Sequence, residues 1–152
     1  MPALILKKTD VANPYFLQLI KKLDIDLAEK DGDEAPFFAA LNTQDAIHHV
    51  LVAYQNNEPV GCGAFKIYDT ETVEIKRMFV EPKMRGMGIA TNILNELQAW
   101  AQSLTYSSCI LETGIKMKAA IALYQANGFQ VIANYGPYVH VATSICFKRA
   151  IN

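Results

Sequence analysis

Val73-Glu74-Ile75-Lys76-Arg77-Met78-Phe79-Val80-Glu81-Pro82-Lys83-Met84-Arg85-Gly86-Met87-Gly88-Ile89-Ala90 runs from a strand-like segment through a glycine-bearing turn into an amphipathic helix that continues past Trp100. A strand, a glycine loop and a helix in that order make a device for holding a phosphorylated ligand. The first N–H groups of a helix lack intrahelical partners, and the helix dipole adds partial positive charge at the same end. Gly86 and Gly88 are free to adopt backbone angles that turn such donors toward one anion, and without side chains they leave room for it. Arg85 adds a permanent charge at the loop mouth. These residues specify an anion-binding turn; the kind of anion depends on the rest of the chain.

A chain of 152 residues predicts one domain large enough to bury a real core. Hydrophobic residues make up 51% and charged residues 19%, a balance that suits a compact fold and argues against disorder. The formal net charge is −1 and no basic run exceeds a pair, so neither nucleic acid nor an anionic membrane is expected as a main partner. Cys62, Cys109 and Cys146 are odd in number, widely spaced and set in apolar segments, which predicts buried reduced thiols. No signal peptide or membrane span is visible: Ala3–Leu6 is too short and is followed by Lys7-Lys8. The expectation is a cytoplasmic protein.

Outward from the central stretch, the elements fall into a mixed order. Ala3–Lys8 reads as a first strand. Asn13-Pro14 starts a helix, with Asn as cap and Pro at the first helical position, and Phe16, Leu19, Ile20, Leu23 and Leu27 follow at helical spacing. Asp31-Gly32-Asp33 breaks that pattern, and Ala35–Leu41 reads as a short helix or an irregular loop. His48–Tyr54 and Pro59–Tyr68 form a hairpin around Gln55-Asn56-Asn57-Glu58, and Asp69-Thr70-Glu71 turns into the strand Val73–Val80. The helix Gly88–Leu104 carries Ile89, Ile93, Leu94, Leu97, Trp100 and Ala101 on one face. Cys109–Thr113 reads as a strand and Ala119–Ala126 as a helix stopped by Asn127-Gly128. Phe129–Asn134 and Val139–Lys148 read as two final strands. A three-strand meander followed by strand, helix, strand, helix and strand predicts an α/β domain with a mixed sheet.

Three ligands compete for the glycine turn. A nucleoside triphosphate loop needs Gly-x-x-x-x-Gly-Lys-Ser/Thr, which the chain lacks. A dinucleotide site nearly fits Gly86-x-Gly88-x-x-Thr91, with Glu112 ending the next strand where a ribose-binding acid would stand. Against it, the residues Glu81–Arg85, including Pro82, separate strand from glycine, and the chain ends too early for a second mononucleotide half. The third ligand rests on two blocks taken together. Val80-x-Pro82-x-x-Arg85-Gly86-x-Gly88-Ile89-Ala90 resembles the acyl-CoA-binding core of the GCN5-related N-acetyltransferase (GNAT) family, with its Gln/Arg-x-x-Gly-x-Gly/Ala signature read on Arg85, Gly88 and Ala90. Leu123-Tyr124-Gln125-Ala126-Asn127-Gly128-Phe129 resembles the family's Leu-Tyr-x-x-x-Gly-Phe, in the family's order and with the strand Cys109–Thr113 between the blocks.

The resemblance implies a single-domain GNAT-like α/β fold over residues 1–152. Its mixed central sheet would have an antiparallel N-terminal meander and a splayed parallel centre, flanked by helices, with a cofactor-binding core at about 73–129. It implies acetyl-CoA as cosubstrate, no metal, and an amine acceptor, either a small molecule or a protein or peptide. Met78, Phe79 and Val80 would pair with the pantetheine arm through free backbone groups, and the backbone of Arg85, Gly86, Met87, Gly88, Ile89 and Ala90 would hold the pyrophosphate. Tyr124 is the candidate acid for the departing thiolate, since a phenol is protonated at neutral pH. Glu74 is the first choice of base, at a position that carries a general-base glutamate in the histone-acetylating branch. Alternation places Glu74, Lys76, Met78 and Val80 on one face and Ile75, Arg77 and Phe79 on the other, so that Lys76 or Arg77 also has the choice of a carboxylate partner or an acidic substrate.

One departure stands out. Many relatives carry Asn or Gln seven residues before the tyrosine, where this chain has Met117; a polar cofactor contact is absent there or is replaced by Lys116 or Lys118. On the acceptor side, Glu112 at its strand end and the loop Tyr135-Gly136-Pro137-Tyr138 are the candidate substrate-binding residues. The first helix and Asp31–Leu41, with Phe37 and Phe38, would form the opposite wall. His48 and His49 point to opposite faces with His140 remote in sequence, and no metal-ligand set emerges. The acceptor's identity is not legible. Dimers are common in such families, and the sequence marks no interface. The competing class is a non-catalytic acyl-CoA-binding or regulatory module; an oxidoreductase ranks below it.

Overall fold

A computed structural model describes residues 3–41 and 47–152. Seven strands form one sheet: β1 (Ile5–Thr9), β2 (Ile47–Gln55), β3 (Glu58–Ile67), β4 (Thr72–Val80), β5 (Ser108–Gly114), β6 (Gln130–Ile132) and β7 (Ser144–Ala150), in the order β1-β2-β3-β4-β5-β7-β6. All neighbours are antiparallel except β4 and β5, which run parallel. The expected meander and mixed sheet are both present. Asn56 and Asn57 adopt φ of 53° and 64°, the left-handed pair that a two-residue hairpin turn requires.

Helices cover both faces. α1 (Pro14–Asp31) is capped as its sequence predicts, the Asn13 side chain accepting from the amides of Tyr15 and Phe16. Phe16, Leu19, Ile20 and Leu23 pack on Val50, Val52, Cys62, Ala64 and Phe79. α2 (Ala35–Leu41) is a helix and not an irregular loop. On the opposite face, α3 (Ile89–Ser103) and α4 (Lys118–Ala126) close the main core, in which Ile93, Leu94 and Leu97 meet Leu51, Phe65, Val73 and Ile75.

Two expectations fail, each for a visible reason. The segment 139–143 is not strand: Gly136–Tyr138 forms a 3-10 turn and β7 begins only at Ser144. Asn134 Nδ2 reaches the carbonyls of Tyr138, Val141 and Ser144, each at 3.1 Å, and gathers the chain into a loop where extension would have separated them. β6 is correspondingly short, ending at Ile132.

The second failure concerns β4. Its pairing to β3 shifts between Cys62–Phe79 and Ala64–Lys76, so that Arg77 and Met78 together oppose Gly63. This is a β-bulge, and Arg77 takes φ 60° to make it. Strict alternation therefore stops at Lys76. Glu74 and Lys76 face the α1–α2 side, as does Arg77, whose Nη2 bonds the Ile20 carbonyl (3.4 Å) and Asp24 Oδ1 (2.6 Å). Met78 and Val80 turn to the α3 side instead. There Met78 packs over Gly63, where a Cβ would lie 2.7 Å from its sulfur, 2.8 Å from Ile93 and 2.9 Å from Leu97.

Gly63→Ala would overpack this contact, since three side chains must move to admit one methyl. It should cost about 1–3 kcal/mol, read as a lower urea midpoint with an unchanged slope.

Candidate active site

The site grows from the point where β4 and β5 part. They pair at only three positions, Thr72–Ser108, Val73–Cys109 and Glu74–Ile110. Beyond Glu74, β4 is paired on its β3 side alone and β5 only with β7. Parallel neighbours that diverge leave backbone donors and acceptors facing a gap, and a ligand can satisfy them.

That gap opens into a cleft of about 510 Å³. Met78, Phe79 and Val80 form one side of it, and Leu123 and Tyr124 of α4 the other. Its far end is the glycine turn. Gly86 and Gly88 have φ of 80° and 81°, and a Cβ on either would meet nothing within 4 Å, so backbone conformation demands these glycines and open space lies before them. Gly88 caps α3 with no side-chain hydrogen bond to the first-turn amides. Those donors fit a diphosphate: they converge on open space at the positive end of a helix of 15 residues. Arg85 is engaged locally, its Nε donating to the Val80 carbonyl at 2.9 Å and its guanidinium lying 5.6 Å over the Phe79 ring. Ile89 is buried in the core, so its side chain serves packing while its amide belongs to the turn.

A second cavity, of about 130 Å³, lies on the other side of the gap and shares Leu23, Met78, Met117, Ala120 and Tyr124 with the first. Two chambers joined at a tyrosine suit a transfer between two bound molecules. Glu74, Lys76 and Glu112 enter this second chamber from the sheet, while Asp31, Phe38 and Tyr138 close it from α1, α2 and the β6–β7 connection.

The titratable groups have identifiable environments. Tyr124 is buried, and that burial together with the Glu112 charge keeps its phenol protonated well above the ordinary range. Glu74 is 4% exposed, accepts the Tyr135 hydroxyl at 2.6 Å and has Lys66 Nζ at 3.8 Å. Glu112 accepts the Ser144 hydroxyl at 2.5 Å; burial nevertheless raises its pKa above the ordinary 4.5, against the opposing pull of that bond and of Lys76. The pKa of Lys76 is lowered, chiefly by burial.

The sequence-derived candidates thus fall into three places. Met78, Phe79, Val80, Arg85, Gly86, Gly88, Ile89 and Ala90 line the larger cleft, and Met87 sits exposed in the turn. Tyr124 stands at the junction; Glu74, Glu112 and Tyr138 line the smaller chamber. Tyr135 reaches the site through its bond to Glu74. Met117 lines both chambers, Lys116 lies in a minor side pocket, and Phe37 is exposed while Phe38 faces the chamber. Asp31, at the start of the segment Asp31–Leu41 expected to form the opposite wall, lines the smaller chamber together with Phe38. Among the described residues no three His, Cys, Asp or Glu side chains stand together as a metal site.

Comparison with known proteins agrees with this geometry. The family model described as "Acetyltransferase (GNAT) family" matches residues 15–129. An IAA acetyltransferase of Azospirillum brasilense is 35% identical over 141 residues, covering 91% of this chain and 92% of that protein. The structure of a putative acyl-CoA N-acyltransferase from Klebsiella pneumoniae superposes with a TM-score of 0.81 at 27% identity, covering 98% of both chains. A GNAT family acetyltransferase from Elizabethkingia anophelis, solved with acetyl-CoA bound, shares the fold with a TM-score of 0.73 at 20% identity over 97% of each chain.

Glu112 gives a pH-dependent prediction. A carboxyl whose folded-state pKa is raised stabilises the fold below its unfolded value and loses that contribution as pH rises through the folded value. Glu112→Gln, which cannot ionise, should therefore raise the urea midpoint near pH 7.5, and the gain should fade as pH falls toward about 4.5.

Proposed function

Because this chain belongs to the acetyltransferase (GNAT) family, we propose that it moves the acetyl group of acetyl-CoA to a primary amine by direct attack, with no covalent enzyme intermediate. It is an acyltransferase, and acetyl-CoA is its cosubstrate. One observation carries the mechanism: a cleft that begins at unpaired helix amides and ends at Tyr124, where it meets a second chamber holding carboxylates.

In this reading residues 73–129 are the cosubstrate-binding core of one domain spanning the chain. The amides from Arg85 to Ala90 hold the diphosphate, and the free edge of Met78–Val80 holds the pantetheine arm. The amine must lose a proton to become a nucleophile, and Glu74 accepts it, directly or through one water. The Tyr135 hydroxyl fixes the orientation of that carboxyl. The nitrogen then bonds to the thioester carbonyl carbon, the carbon–sulfur bond breaks, and Tyr124 protonates the departing thiolate. A phenol kept neutral by burial suits a proton donor to a sulfur anion. Glu112 lies beside the same chamber and steadies the incoming ammonium. Met117 supplies an apolar wall where a polar contact is common in relatives, leaving the main-chain amides as the principal grip. We assign the protein to the cytoplasm; its buried, unpaired Cys62, Cys109 and Cys146 support a reducing compartment.

Tyr124→Phe should bind acetyl-CoA with wild-type affinity by calorimetry and lose turnover by about 100-fold or more. Glu74→Gln should lower kcat by a similar factor while leaving acetyl-CoA binding intact. Unchanged turnover in either variant would remove that residue from its role. Gly88→Val, strained at a left-handed position, should lose acetyl-CoA uptake while remaining folded by circular dichroism.

A further inference from the structure

The acceptor chamber contains a cation, Lys76, that shares it with Glu74, Glu112 and Asp31 but, among the described residues, touches none of these carboxylates directly. Lys76 projects from β4 into the chamber wall, where Nζ donates to the Leu41 carbonyl at 3.2 Å and the Tyr138 hydroxyl at 3.4 Å. Both partners are neutral and both bonds are long for an ammonium group. An ammonium carries three donors, so one remains. Among the described residues no carboxylate lies within 4 Å of it, although Glu74 and Glu112 share the chamber. A largely buried cation without an anionic partner is costly.

The carboxylates differ in this respect. Glu74 already has the Tyr135 hydroxyl and Lys66, and Glu112 has the Ser144 hydroxyl. Arg77, the neighbouring cation, turns toward α1, where its Nη2 bonds Asp24 and the Ile20 carbonyl while Nε and Nη1 are buried without a partner. Lys76 keeps its third donor for an acceptor, on the same strand face as Glu74. The chamber thus carries three carboxylates, Asp31, Glu74 and Glu112, with Lys76 set among them beside Leu41 of α2. Its volume of about 130 Å³ limits what enters to a short molecule.

We propose that the acceptor is a small amino acid or a similarly compact zwitterion, its amine lying between Glu74, Glu112 and Tyr124 and its carboxylate received by Lys76. This rests on the acetyltransferase reading above and narrows its acceptor to molecules carrying both charges. A diamine would bring a second ammonium toward Lys76 and is disfavoured by repulsion. A protein lysine would leave Lys76 unmatched.

Matched pairs test this: alanine with ethylamine, serine with ethanolamine, valine with isobutylamine, plus putrescine and a lysine-containing peptide. Thiol release from acetyl-CoA gives kcat/KM for each, and calorimetry on the CoA-loaded protein gives acceptor binding without turnover. At least one amino acid should exceed its decarboxylated partner by about tenfold or more, the effect of one charge-assisted bond. Lys76→Met should bring that ratio toward one, mainly through KM, and Lys76→Arg should restore part of it; CoA uptake by each variant reports that it has folded. Preference for the plain amines, putrescine or the peptide would overturn the zwitterion assignment while leaving the acetyltransferase intact. So would a ratio unmoved by Lys76→Met, or CoA-loaded protein that takes up neither member of any pair. Failure to bind acetyl-CoA at all would instead overturn the catalytic reading on which the assignment stands.

Discussion

The parting of β4 from β5 is the constraint on which everything else here depends. Three parallel pairs hold the strands together at one end. Past Glu74 the bulge at Arg77 bends β4 and raises its twist, which is what an extra residue in one strand does. A non-glycine residue at φ 60° costs about 1 kcal/mol or more, so something must hold it there. The Arg77 side chain is 1% exposed and tied to α1 through a backbone carbonyl and Asp24, and those bonds fix the bulge against the helix above it. One distortion has three consequences: it frees a strand edge, sends Met78 toward α3, and leaves Lys76 and Arg77 on the same face.

The same distortion marks how far the sequence could be read. Hydrophobic period and cap chemistry located α1, α3, α4 and the strands through β5, because each of those elements buries a regular stripe; α2, which buries only Phe38, was left open between helix and loop. Gly86 and Gly88 were legible because a left-handed turn beside an anion leaves few other choices of residue. The bulge was not legible. Nothing about Arg77 locally announces a positive φ, and the register shift becomes visible only once β3 supplies Gly63 opposite it. Nor was the loop 139–143, whose residues are apolar enough to suggest a strand; Asn134 gathers three carbonyls there, and a single polar side chain leaves no periodic trace. Of the site, both motif blocks carried the cosubstrate side and Tyr124. The Asp31–Leu41 wall and the shared face of Glu74 and Lys76 were legible too; the bonds of Lys76 to the Leu41 carbonyl and the Tyr138 hydroxyl came only from the fold.

The two chambers differ in what builds them, and this explains why one was readable. The larger is made mostly of backbone: a strand edge and helix amides, whose demands fall on residues close together in sequence. The smaller is made of side chains brought together across the whole chain. Thr143 donates to Glu34 at 2.7 Å, joining segments 109 residues apart, and Lys76 bridges α2 and Tyr138. Phe38, Tyr138 and Cys146 form a separate small cluster beneath, apart from the main core. A wall assembled from a few polar bonds and a satellite cluster can change its residues without disturbing the sheet or the turn. On the assignment proposed for the two chambers, the binding of acetyl-CoA and the choice of acceptor are mechanically separable, with Tyr124 and the strand carboxylates at the boundary. On that assignment, substitutions in the wall formed by α2 and the β6–β7 connection would alter which amine enters and leave the sheet-imposed geometry in place.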